Sequence, residues 1–255
     1  MHATGGKWMQ LVTNLSGLEC LDLTVEHDHV EVQIGDVRMF LLESGVPSFR
    51  LGAQFIQGHL LWGTYEHDYA TKWIKNLNLF SIITLTSLDL SDNRLGMQGI
   101  DALASSLENR GISHLGLNST FSGLSEAISL IKALNRSAEP RIVVLEIEKN
   151  SIPLAAPDFI DSLKGVTSLK KLSLAGNSLS VGDHREDGAH DLSNNGSFEA
   201  TLPFWDHLRD LGIQELSVAK CHVTADAVKA LGSLEWPTLE VFLLRFWVLP
   251  HPPPP

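Results

Sequence analysis

The sequence predicts an α/β solenoid, a horseshoe with a parallel concave sheet of short strands and helices on the convex side. Three observations predict it. An apolar frame recurs six times, its copies mostly lie 26 to 30 residues apart, and helical apolar periodicity follows several of them.

The clearest unit is LTSLDLSDNRLGMQGIDALASSLENRG, residues 85–111. It opens with Leu85, Leu88, Leu90, Asn93 and Leu95, the spacing L-x-x-L-x-L-x-x-N-x-L. The frame returns as Ile142, Leu145, Ile147, Asn150, Ile152 and as Leu169, Leu172, Leu174, Asn177, Leu179. A further copy, Ile213, Leu216, Val218, Cys221, Val223, carries Cys at the Asn position. Weaker copies start at Ile112 (Leu115, Leu117, with Thr120) and at Leu239 (Phe242, Leu244, with Trp247). The starts at 85, 112, 142, 169, 213 and 239 are therefore 27, 30, 27, 44 and 26 residues apart. After the strands, GMQGIDALASSLEN aligns Ile100, Leu103, Ala104 and Leu107 on one helical face. SGLSEAISLIKALN does so through Leu124, Ile128, Ile131 and Leu134, and TADAVKALGSL through Ala227, Val228 and Leu231, with Thr224 as N-cap. No such unit buries its apolar face alone, so stacked neighbours must supply the core.

Over residues 85–249 these units resemble the ribonuclease-inhibitor-like class of leucine-rich repeats. The resemblance implies that Asn93, Thr120, Asn150, Asn177 and Cys221 form a buried structural ladder, where side chains satisfy backbone groups as each strand turns away. It also implies that the non-leucine strand positions face the concave side. These run Ser87-Asp89-Ser91, His114-Gly116-Asn118, Val144-Glu146-Glu148, Lys171-Ser173-Ala175, Glu215-Ser217-Ala219 and Val241-Leu243-Arg245.

Residues 1–84 read as divergent N-terminal repeats or a cap. LECLDL (Leu18, Leu21, Leu23) is a degenerate first strand, VEVQIGDVRMFLLESG reads as extended structure and then a turn, and DYATKWIKNLNLF reads as an amphipathic helix. Residues 85–249 form the solenoid, with a loop insertion at about 180–200, and 250–255 are a proline tail. That tail reads as readily as the end of a truncated array as a natural terminus.

Composition narrows the function. The net charge of −11 argues against nucleic acid, which needs a Lys/Arg-rich face, and against anionic membrane surfaces. No apolar run is long enough to span a bilayer, and no signal peptide opens the chain, so the expected place is the cytoplasm, a secreted effector being the other option. Cys20 and Cys221 make no disulfide framework, and the sequons at Asn14, Asn118, Asn135 and Asn195 read as chance matches.

Candidate metal sites fail on ligand count. His27 and His29 share a strand face, but their partners would have to come from afar, for instance His67. In VGDHREDGAHDLSNNGS, Asp183, Asp187, Gly188 and Asp191 fit a calcium loop, yet Arg185 stands where an oxygen ligand belongs and Asn194 where the bidentate Glu belongs. His184 and His190 lie six apart, which is not zinc-protease spacing. No phosphate-binding loop or nucleophile motif is present, so no cofactor, metal or catalytic residue is expected.

The expectation is a non-enzymatic scaffold that binds a protein through its concave face and one rim. Asp89, Glu146 and Glu148 would meet basic groups, Lys171 and His114 would add specificity, and Asn118, Glu215 and Arg245 complete the set of partner-binding residues. The alternatives are a regulator of a small GTPase, as in Ran GTPase-activating proteins with similar repeats, or a fragment of a larger repeat receptor or microbial effector.

Overall fold

A computed structural model describes residues 19–23, 38, 41–51, 84–107, 111–136, 141–179, 198–221 and 224–244. Among them lies one eight-stranded sheet in sequential order, every neighbouring pair parallel. Its strands are β1 (Cys20–Leu23), β2 (Ser48–Leu51), β3 (Ser87–Asp89), β4 (His114–Gly116), β5 (Val144–Glu146), β6 (Lys171–Ser173), β7 (Glu215–Ser217) and β8 (Val241–Leu243). The last six begin two residues after the six starts read from the frame. The leucines of that frame make the alternation: Leu88, Leu115, Leu145, Leu172 and Leu216 are buried, while their neighbours face the other way.

Helices follow as α1 (Gly96–Leu107), α2 (Leu124–Leu134), α3 (Pro157–Leu163), α4 (Phe198–Asp210) and α5 (Ala225–Gly232), and consecutive helices pack on one another. The core lies between this helical layer and the sheet. Each buried leucine contributes about 1.5–3 kcal/mol through removal from water, so cohesion is spread along the solenoid rather than centred. Thr224 caps α5, its Oγ1 accepting the Ala227 N–H at 3.1 Å.

Several expectations are corrected. In α2 the buried stripe is Ala127, Leu130 and Ile131, whereas Leu124, Ile128 and Leu134 are only partly covered. Two overlapping stripes fit that segment, and packing selects the one with the small Ala127 against the core. Glu126 is buried too, because its carboxylate accepts the Ser122 N–H and hydroxyl, both at 2.7 Å. In α5, Ala227 and Ala230 are buried while Val228 stays half-exposed. Helices α3 and α4 were not read from the sequence; α3 starts on Pro157, and α4 carries Pro203 inside it.

Residues 41–44 are helical rather than extended. The segment ends at Gly45 (φ 65°), a left-handed conformation in which a side chain would be strained, and Val46 and Phe49 then enter the core. The expected helix at 68–80, His27, His29 and His67, the insertion at 181–197 and the proline tail lie outside the described residues.

Candidate functional site

The sheet face away from the helices gathers the chemistry. Strand register aligns one column as Arg50, Asp89, Gly116, Glu146, Ser173, Ser217 and Leu243. Beside it runs Ser48, Ser87, His114, Val144, Lys171, Glu215 and Val241. The fold thus brings Asp89, His114, Glu146, Lys171 and Glu215 onto adjacent strands, with Asn118 and Glu148 in the turns that follow β4 and β5. Arg245 lies outside the described residues.

Most of these charges already have partners within the chain. Arg50 Nε stands 3.1 Å from Asp89 Oδ2, His114 Nε2 stands 3.7 Å from Glu146 Oε2, and Lys171 Nζ stands 3.4 Å from Glu215 Oε2. The His114 ring holds the Glu146 carboxylate below the usual carboxylate range against the opposing pull of burial, and the Lys171 and Arg50 charges add to it. Gly116 makes room for this cluster: a β-carbon there would lie 2.6 Å from Asp89 Oδ1.

The turns are tied in sequence. Asp89 Oδ1 accepts the Ser91 N–H at 2.9 Å, Ser91 Oγ accepts the Asn118 N–H at 3.0 Å, and Asn118 Oδ1 accepts the Glu148 N–H at 2.7 Å. The Ser173 hydroxyl then donates to Glu148 Oε1. Of the four carboxylates Asp89, Glu146, Glu148 and Glu215, only Glu148 has no cationic partner among the described residues.

Arg50 is the residue of this face that sequence reasoning missed. Its strand follows the frame as Val46, Phe49, Leu51, but Pro47 and the unread first third obscured it.

On the inner side of the turns a second set of polar side chains spans the strands. Thr120 Oγ1 donates to Leu90 O at 3.2 Å, Asn150 Nδ2 to Leu117 O at 2.8 Å, Asn177 Nδ2 to Ile147 O at 2.8 Å, and Cys221 Sγ to Leu174 O at 3.1 Å. Asn150 Oδ1 also accepts the Thr120 and Phe121 N–H groups, at 2.6 and 2.7 Å. Asn177 Oδ1 takes those of Asn150 and Ile152, at 2.9 and 3.1 Å. Asn93 Nδ2 reaches Leu90 O at 3.0 Å and Ser91 O at 3.1 Å. Burial pushes the Cys221 thiol up to about 12, which suits a hydrogen-bond donor and not a nucleophile.

Two of the sequons have their amides engaged: Asn118 by Glu148, and Asn135 by donating from Nδ2 to Ser162 O at 2.7 Å. Among the described residues no cluster of three or more His, Cys, Asp or Glu could hold a metal ion, and no helix is long and apolar enough to cross a membrane.

A family model described as leucine-rich repeat matches residues 82–104. Among solved structures, the chain resembles the leucine-rich repeat-containing protein LegL7 from Legionella pneumophila, with a TM-score of 0.53 at 15% identity. That likeness covers 95% of this chain and 88% of the other, and at this identity it speaks for the fold alone. No curated protein sequence matches the chain. The repeated frame, the sequential parallel sheet and both likenesses agree on one fold, the leucine-rich-repeat solenoid.

Proposed function

We propose that this chain is a non-enzymatic scaffold of the ribonuclease-inhibitor-like class, which binds a protein partner through the concave face and one rim. The observation that carries the reading is the sheet face away from the helices, on which register-aligned side chains stand in two columns that no helix among the described residues covers. Parallel sheets are normally covered on both faces, so a bare one presents an ordered surface of side chains and short turns. The residues assigned to the partner are Asp89, His114, Asn118, Glu146, Glu148, Lys171, Glu215 and Arg245. The ladder residues Asn93, Thr120, Asn150, Asn177 and Cys221 are assigned to the framework. A cytoplasmic setting suits the two free cysteines, Cys20 and Cys221.

Pull-down with the full chain followed by mass spectrometry identifies the partner. The double variant Glu146→Lys, Glu148→Lys then reverses charge at half-exposed positions and should weaken the complex roughly tenfold or more. Unchanged binding by this folded variant would remove the concave face from consideration.

A further inference from the structure

The two halves of the concave face offer a partner different things. From β2 to β5, Asp89 and Glu146 are engaged by Arg50 and His114, so a ligand group there must displace an existing partner. From β6 to β8 the floor consists of Ser173, Ala175, Ser217 and Ala219, none with more than two side-chain heavy atoms. This floor ends at Val241 and Leu243, which point to the same face and are 42% and 52% exposed. On the opposite side of the floor stands Glu148, whose carboxylate takes only the Ser173 hydroxyl among the described residues.

Exposed large apolar side chains beside a shallow floor mark a contact surface, because leaving them in water gains nothing. Small side chains also let a partner backbone approach closely. Charge favours a cationic partner: Glu148 and Glu215 against Lys171 leave an excess of one negative charge in this half, on a chain of net charge −11.

Resting on the scaffold reading above, we infer that the β6–β8 half is the gripping part of the face. Its occupant is a protein segment that sets a large apolar side chain on Val241 and Leu243 and a lysine or arginine on Glu148. Three strand spacings and a two-residue offset separate the two anchors by about 15 Å, the reach of four or five extended residues. Glu148 fixes the cation, the apolar pair supplies most of the affinity, and the small floor admits the backbone between them.

Random peptides displayed on phage and selected on the full chain provide the probe. Enriched peptides should carry a lysine or arginine four or five positions from a large apolar residue. Their affinity should fall roughly tenfold in Leu243→Ser and several-fold in Glu148→Gln, and be retained in Leu243→Met. Arg50→Ala should stay within about twofold of the parent, since an exposed charge away from the contact matters little. All three positions lie at the surface of the face, so a cooperative unfolding transition close to the parent's serves as the fold control. Peptides that ignore Leu243→Ser and Glu148→Gln but are lost with the Glu146→Lys, Glu148→Lys pair would overturn the inference and spare the scaffold reading. Absence of any peptide sensitive to a concave-face substitution would overturn both.

Discussion

Two polar networks cross the same strands in the same register, one buried beneath the turns and the other open on the concave face. The buried one links Thr120, Asn150, Asn177 and Cys221 to carbonyls of the preceding repeats. The open one links Arg50 to Asp89, His114 to Glu146 and Lys171 to Glu215. Their geometry is equally regular, but their energetics differ. A buried amide cannot exchange its partner for water, so losing it strands every group it served. A half-exposed ion pair can, and water and salt take over most of its role. Regularity alone therefore does not tell which network the fold depends on; burial does.

The sharpest way to break this contrast is Asn150→Leu. It leaves the Thr120 and Phe121 N–H groups and the Leu117 carbonyl without their partner in a dry site, and should cost about 3–5 kcal/mol in denaturant unfolding. Next comes Gly116→Ala, whose β-carbon would press on Asp89 Oδ1 and force the Arg50–Asp89 pair apart. Asp89 can swing away, so about 1 kcal/mol is expected, and pairing it with Asp89→Ala should recover most of the loss in a double-mutant cycle. Arg50→Ala, on the open network, should cost under about 1 kcal/mol and less still in high salt. If it costs as much as Asn150→Leu, the contrast is wrong.

The smallest effect is in pH. Glu146 is held below its ordinary value, so the folded state favours its charged form. Its stabilising contribution is fully present above the unfolded value of 4.5 and is lost as pH falls through the folded one. Glu146→Gln should flatten that acid limb slightly in a pH series of thermal melts. An acid limb identical to the parent's would show that His114 and Glu146 are not coupled in solution.

How much of this was legible follows from where the sequence is redundant. The six strands β3 to β8 could be read because each copy repeats three apolar positions at fixed spacing, and one weak copy is carried by its neighbours. Strand β2 lies in a divergent region, where Val46, Phe49 and Leu51 keep the frame but Pro47 interrupts it and Gln54 stands at the Asn position. Helix faces were less legible: the α2 segment offers two stripes, and only the packed sheet decides between them. Site residues were found as positions but not as pairs. That Asp89 leans on Arg50 over Gly116 depends on which strand lies next to which, and the chain order of one repeat does not reveal that.

The backward reach of the buried side chains also sets an order in time. During synthesis, the carbonyl of Leu117 waits 33 residues for Asn150, and that of Ile147 waits 30 for Asn177. Leu174 would wait longest, since Cys221 follows 47 residues later, after the expanded interval has been made. Asn177, three residues on, already donates to Leu174 O at 2.9 Å. The strand whose successor arrives last thus has one carbonyl met from its own turn, as Asn93 does for Leu90 O, while the rest of its edge waits for β7.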